Sequence, residues 1–152
     1  TDLGHQQARD AAHALKDAGI ERIIVSPYTR ALQTAAPIAA ALGVPVLINP
    51  IVRERYAFAC DVGTRRSQLQ TDWPHHDFST IEEIWWPPVE EEESSIAARA
   101  RLFRAEMAAL PSWANTLVIS HWGFIRCMTG QRVGNSEMLR CDPTAEAPVT
   151  AD

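Results

Sequence analysis

Ile23-Ile24-Val25-Ser26-Pro27-Tyr28-Thr29-Arg30 carries the main topological information in this 152-residue chain. Three successive β-favouring apolar residues read as a strand buried on both faces, as in a parallel sheet; a strand wetted on one side would alternate. The run stops at Ser26-Pro27, a cap followed by a residue suited to a first helical turn. Residues 30–42 then form an Ala-rich helical pattern closed by Gly43. Upstream, Thr1 stands as an N-cap, and Ala8, Ala11, Ala12, Leu15 and Ala18 recur at helical spacing before Gly19. Downstream, residues 44–48 form a second strand candidate. Helix, strand, helix, strand in this order predicts an α/β fold with crossover connections and a parallel sheet.

The middle of the chain is less periodic. Residues 51–63 mix charge and aromatics, residues 65–69 suggest a short helix, and residues 71–88, with Pro74, Pro87, Pro88 and Trp73, Trp85, Trp86, read as a long ordered loop or lid. Ile96, Ala100, Phe103, Met107 and Leu110 share one face of a helix over residues 96–110, which Pro111 ends. Thr116-Leu117-Val118-Ile119-Ser120 is the strongest strand pattern, and it delivers His121 at its carboxyl end. A helix over residues 124–128 follows, stopped by Gly130. A domain over residues 1–142 and a frayed tail over residues 143–152, rich in Pro, Ala and Thr, complete the reading.

Composition narrows the function classes. Hydrophobic residues make up 46% and charged residues 22%, enough apolar material for a core. A chain of this size fits one domain and buries about 70% of its unfolded surface. No apolar stretch is long enough for a membrane span, and the polar opening residues do not form a signal peptide. Cys60, Cys127 and Cys141 are widely spaced and form no CxxC, which disfavours a disulfide framework or zinc knuckle and points to a reducing, cytoplasmic setting. The net charge of −5 argues against nucleic-acid binding. Its excess is local: Glu82, Glu83, Glu90, Glu91, Glu92 and Glu93 fall in one segment without a base. The part from Glu90 to Glu93 reads as a solvated helix start, with a specificity role in repelling highly anionic substrates as the alternative. His75, His76 and Asp77 are adjacent on a loop, a poor arrangement for one metal ion.

In open parallel sheets a site lies beyond the carboxyl ends of the strands, where helix N-termini point. Two places fit. Arg30 stands in the first turn of the helix after Ser26-Pro27, where free backbone N–H groups favour an anion and a guanidinium adds a two-pronged donor. His121 emerges from the strongest strand into the turn before another helix. Together they suggest a phosphate site.

Thr1-x-x-Gly4-x-x-Gln7-Ala8, Ser26-Pro27-x-x-Arg30-Ala31-x-x-Thr34-Ala35, Arg53-Glu54 and Ser120-His121-x-Gly123-x-x-Arg126, in this order, resemble the histidine phosphatase superfamily, phosphoglycerate-mutase-like branch. The resemblance covers residues 1–130. It implies a three-layer α/β/α sandwich around a mainly parallel sheet and phosphoryl transfer through a phosphohistidine, with no metal or other cofactor. By the same resemblance Arg30 is the second arginine of the phosphate pocket, and His121 is the second histidine, donating hydrogen bonds to the phosphoryl oxygens. Glu54 is the acid that protonates the leaving oxygen and then activates water. A surface ion pair with its neighbours Arg53 and Arg55 is the competing reading of Glu54.

Two departures stand out. The family's Arg-His-Gly segment, which carries the nucleophile at the end of the first strand, does not occur in the sequence. Since Thr1 is not a start methionine, a longer protein whose first strand precedes Thr1 is the simplest expectation. Trp122 stands where many members have Gly after the histidine; it either walls the pocket mouth or packs under the following helix. The expected function is hydrolysis of a small phosphorylated metabolite. The segment between Glu54 and the helix at Ile96 is shorter than the insertions of glycolytic mutases, which leaves a mutase as the alternative, and a non-catalytic phosphate-binding scaffold as a third reading. The expected partner is the phosphorylated substrate, with neither nucleic acid nor membrane, and the oligomeric state stays open, a homodimer included.

Overall fold

The computed structural model describes residues 1–148. Helix α1 (Asp2–Ala14) starts at Thr1, whose Oγ1 accepts from the Gly4 N–H and satisfies one of the free donors of the first turn. It ends at Ala14, short of the predicted Ala18, and Gly19 takes the left-handed conformation in the turn beyond. Strand β1 (Arg22–Val25) follows, then α2 (Thr29–Leu42), closed by Gly43, and β2 (Val46–Ile48). The predicted cap at Ser26 is a correction: Tyr28 is the N-cap residue of α2 and supplies no side-chain cap bond, while Ser26 Oγ accepts from the Tyr28 N–H at 3.4 Å and lies 2.8 Å from His121 Nε2. Helix α3 (Arg66–Asp72), α4 (Glu93–Ala108), strand β3 (Thr116–Ile119) and α5 (Trp122–Thr129) complete the elements.

Among the described residues the sheet has three strands in the order β2-β1-β3, all parallel, with Ile24 opposite both Leu47 and Val118. Because side chains alternate across a strand, β1 serves two cores. Ile23 and Val25 pack with Ala11 and Ala12 of α1, Ala31, Leu32 and Ala35 of α2, and Phe78, Ile81 and Trp85. Ile24 faces the opposite side, with Ile96, Ala100, Phe103 and Met107 of α4 and Phe124 and Met128 of α5. The result is the expected three-layer α/β/α sandwich. Both α4 and α5 begin earlier than their apolar patterns do, at Glu93 and Trp122, since first-turn positions need no buried side chain.

The segment over residues 71–88 is packed rather than lid-like. Phe78, Ile81 and Trp85 are buried, and the Trp85 indole N–H donates to the Thr64 carbonyl at 2.8 Å. Gly63 admits the two indoles, since a Cβ there would lie 2.5 Å from both Trp85 and Trp86. Past α5, the buried Arg104 of α4 donates to the carbonyls of Met128 (2.9 Å), Asp142 (3.1 Å) and Ala145 (2.8 Å). The start of the expected frayed tail is thereby tied to α4, and its last residues, 149–152, lie outside the described residues. No helix among the described residues is long and apolar enough to cross a membrane.

Candidate active site

Strands β1 and β3 lie side by side and run the same way, so their carboxyl ends open at one edge of the sheet. Ser26 and Arg30 follow the first, and His121 the second. The Arg30 Nε donates to His121 Nδ1 at 3.2 Å, which brings together two side chains 91 positions apart. His121 Nε2 lies 2.8 Å from Ser26 Oγ, and Ser26 is fully buried. With Nδ1 accepting, the neutral ring carries its proton on Nε2 and donates it to Ser26. Burial, with the charges of Arg30 and Arg99 adding to it, lowers the His121 pKa to about 3. The imidazole is therefore neutral at physiological pH, and both of its nitrogens are occupied by protein partners.

Glu54 joins the pair from the segment after β2. Its carboxylate accepts from the Gly123 N–H at the start of α5, at 3.0 and 3.3 Å from the two oxygens, and Oε1 also accepts from the Arg55 N–H at 2.8 Å. A helix N-terminus is a favourable seat for a carboxylate. Burial nonetheless raises the Glu54 pKa above the ordinary range, against those two N–H groups. Gly123 is required by the contact itself, because a Cβ there would lie 2.5 Å from Glu54 Oε1.

The flanking arginines do not pair with Glu54. Arg53 Nη2 reaches Glu91 at 3.3 Å, while Arg55 reaches Glu90 at 3.1 Å and Glu93 at 2.7 Å. The acidic run thus differs from the solvated helix start predicted for it. Glu91 is buried and takes Arg99 in a two-pronged clamp, with 2.8 Å from Nε to Oε1 and 2.6 Å from Nη2 to Oε2. Burial would raise the Glu91 pKa, but the hydrogen bonds and charge of Arg99, backed by Arg53, hold it below the ordinary carboxylate range. Arg99 Nη1 also donates to the carbonyls of Ile51 (2.6 Å) and Arg53 (3.2 Å), so the clamp fixes the backbone that carries Glu54.

Three contributors were not assigned a role from sequence: Ser26 as the histidine's partner, Tyr28 and Asp61. Tyr28 packs edge-on against Trp85 and His121, and its ring lies 4.5 Å from the Arg30 guanidinium. Burial, together with the negative charge of Asp61, pushes its hydroxyl up to about 12, so it remains a donor; it donates to the Asp61 carbonyl. Nothing in the sequence marks Asp61, whose chain segment has no period. Trp122 is half exposed under the Arg126 guanidinium and lines the cleft beside His121; it does not pack beneath α5. His76 stacks on Trp73, and among the described residues no group of three or more His, Cys, Asp or Glu side chains converges on a metal position. Cys60, Cys127 and Cys141 are free thiols.

Arg30, Glu54 and His121 stand in a cleft of about 1000 Å³ that continues along β3, past Leu117, Phe103 and Met107. β3 is an edge strand among the described residues.

The family model described as "Histidine phosphatase superfamily (branch 1)" matches residues 1–146. The chain is 29% identical over 146 residues to the "Probable phosphoglycerate mutase GpmB" of Enterobacter sp. (strain 638), covering 88% of this chain and 63% of that protein. It therefore spans less than two thirds of the curated relatives it matches. Among solved structures it is similar to a mycobacterial glucosyl-3-phosphoglycerate phosphatase, with a TM-score of 0.60 and 27% identity over 84% of this chain and 64% of that one. The complex of that mycobacterial phosphatase with inorganic phosphate matches with a TM-score of 0.59 and 27% identity, over 84% of this chain and 66% of that one.

Proposed function

The chain belongs to branch 1 of the histidine phosphatase superfamily, and on that premise we propose that its protein is a phosphatase that hydrolyses a small phosphorylated metabolite in the cytoplasm, through a phosphohistidine and without a metal. The observation that carries this reading is the meeting of Arg30 and His121 at 3.2 Å beyond two adjacent parallel strands, with Glu54 seated on the helix that follows His121. A guanidinium and an imidazole around one opening suit the three non-bridging oxygens of a phosphoryl group.

In this reading a histidine nitrogen attacks phosphorus in line, and the bond to the leaving oxygen breaks. Glu54, whose raised pKa favours the protonated acid, gives its proton to that oxygen. The resulting carboxylate then takes a proton from water, whose oxygen attacks phosphorus as the P–N bond breaks and phosphate leaves. His121 changes role on substrate binding: the dianion supplies the opposite charge that burial denies it. A proton taken up at Nδ1 displaces the Arg30 bond and turns the ring into a donor to the phosphoryl oxygens.

The nucleophile belongs to an Arg-His-Gly segment, which is not found in the 152 residues. The open edge of β3 and the cleft beside it support a further parallel strand there, ending next to His121. Reading the codons before Thr1 tests this: an Arg-His-Gly after a strand pattern is the expected finding. A start codon close to Thr1 would favour instead a non-catalytic phosphate-binding module, the reading that the missing motif itself supports.

A further inference from the structure

Arg30 is held by long bonds and stays half exposed, unlike Arg99 of the same region. It donates from Nε to His121 at 3.2 Å, from Nη1 to the Cys60 carbonyl at 3.3 Å and from Nη2 to Asp61 Oδ1 at 3.4 Å. All three distances are long for a guanidinium, whose charge-assisted bonds run about 2.7–2.9 Å. Arg99, by contrast, binds Glu91 at 2.6 and 2.8 Å with its side chain only 12% exposed, whereas that of Arg30 is 47% exposed. One cation is locked, and the other is lightly parked.

The parking partner is independently anchored. Asp61 is buried, and its Oδ2 accepts from the Ala57 and Phe58 N–H groups at 3.2 and 3.0 Å. Its carbonyl takes the Tyr28 hydroxyl. Losing Arg30 would therefore leave the carboxylate still hydrogen-bonded and the turn over residues 57–62 intact. An incoming phosphate would meet a fixed negative charge already occupying one prong of the guanidinium it needs.

We propose that Asp61 is a resident counter-ion for Arg30, which competes with phosphate for that guanidinium and thereby limits the affinity of the site for phosphate anions, product included. This rests on the reading of Arg30 as a phosphate ligand. An enzyme that releases inorganic phosphate benefits from such a competitor, because the carboxylate re-engages Arg30 as the product leaves. The residue thus sets affinity without touching the transferred group.

The test uses the full protein, inorganic phosphate as probe and NMR titration, which reads weak binding. Asp61→Asn keeps an amide oxygen for the Ala57 and Phe58 N–H groups but presents no charge to Arg30. It is expected to tighten phosphate binding roughly five- to tenfold, the effect of removing one partly solvated charge. In the unaltered chain, the Asp61 carboxyl carbon signal is expected to move in step with the Arg30 Nε–H signal as phosphate is added. A folded Asp61→Asn variant that binds phosphate equally or more weakly would overturn the proposal, as would an Asp61 signal that stays still while Arg30 shifts. Should Arg30 respond to phosphate in neither protein, the reading of Arg30 as a phosphate ligand fails, and the proposal with it.

Discussion

His121 and Glu54 are pushed in opposite directions by the same burial: the imidazole loses its proton and the carboxyl tends to keep one. For His121 this has a consequence for stability. Its folded pKa of about 3 lies below the ordinary value of 6.5, so the unfolded chain binds the proton more readily. The stability it contributes is fully present above about pH 6.5 and is lost as pH falls toward 3, at ~1.4 kcal/mol per pH unit. Urea unfolding at pH 7 and pH 5 should show the unaltered chain losing ~2 kcal/mol more than His121→Gln, whose amide can still reach Ser26. Equal losses would mean that His121 is not a buried neutral ring. For Glu54 the consequence is kinetic. In the full protein, Glu54→Gln should slow the first chemical step, read as release of the alcohol or phenol in a single turnover, about 10²-fold for alkyl phosphates and much less for p-nitrophenyl phosphate, since nitrophenolate leaves without a proton. Gly123→Ala should reproduce that split, because its new methyl group would overlap Glu54 Oε1. A uniform loss in that first step on both substrates would place the defect elsewhere than in the acid.

At the scale of elements, the Glu91 clamp does the positioning. Glu91 joins Arg53, Arg99 and Ser95, and so ties the segment bearing Glu54 to α4. Glu91→Gln leaves two arginines without their counter-charge and should cost about 3 kcal/mol in urea unfolding, as expected for breaking a buried pair. A loss below about 1 kcal/mol would reduce the clamp to an ordinary surface pair. The contrast with the sequence reading is instructive. β1, α2, β3 and the stop at Gly43 were legible because burial on both faces, helical spacing and a left-handed cap leave local patterns. Arg30 and His121 were legible because they stand where such elements end. The ties from the clamp to the segment bearing Glu54, the meeting of Ser26 with His121, and the pairing of Asp61 with Arg30 depend on partners dozens of positions away, and no local pattern records them. The Glu run misled for the same reason: composition sees four acids in a row, whereas tertiary contacts bury one of them.

At the scale of the whole molecule, the cleft along β3 and the cradle at its end belong together. An edge strand lined by half-buried apolar residues is a surface that proteins ordinarily cover or pair. In the proposed full protein a strand there completes both the sheet and the site, and the proposed route needs no metal. Hydrolysis of p-nitrophenyl phosphate by that protein should therefore persist in EDTA, and loss of turnover on chelation would contradict the metal-free route. Everything rests on Arg30 and His121 receiving the same anion. The most direct measurement is an NMR titration of the chain with inorganic phosphate, following the Arg30 Nε–H and the His121 ring signals together. Both should move with one dissociation constant, and Arg30→Ala should abolish the His121 response. Signals that move with different constants, or a His121 response that survives Arg30→Ala, would show that the two side chains do not share one anion.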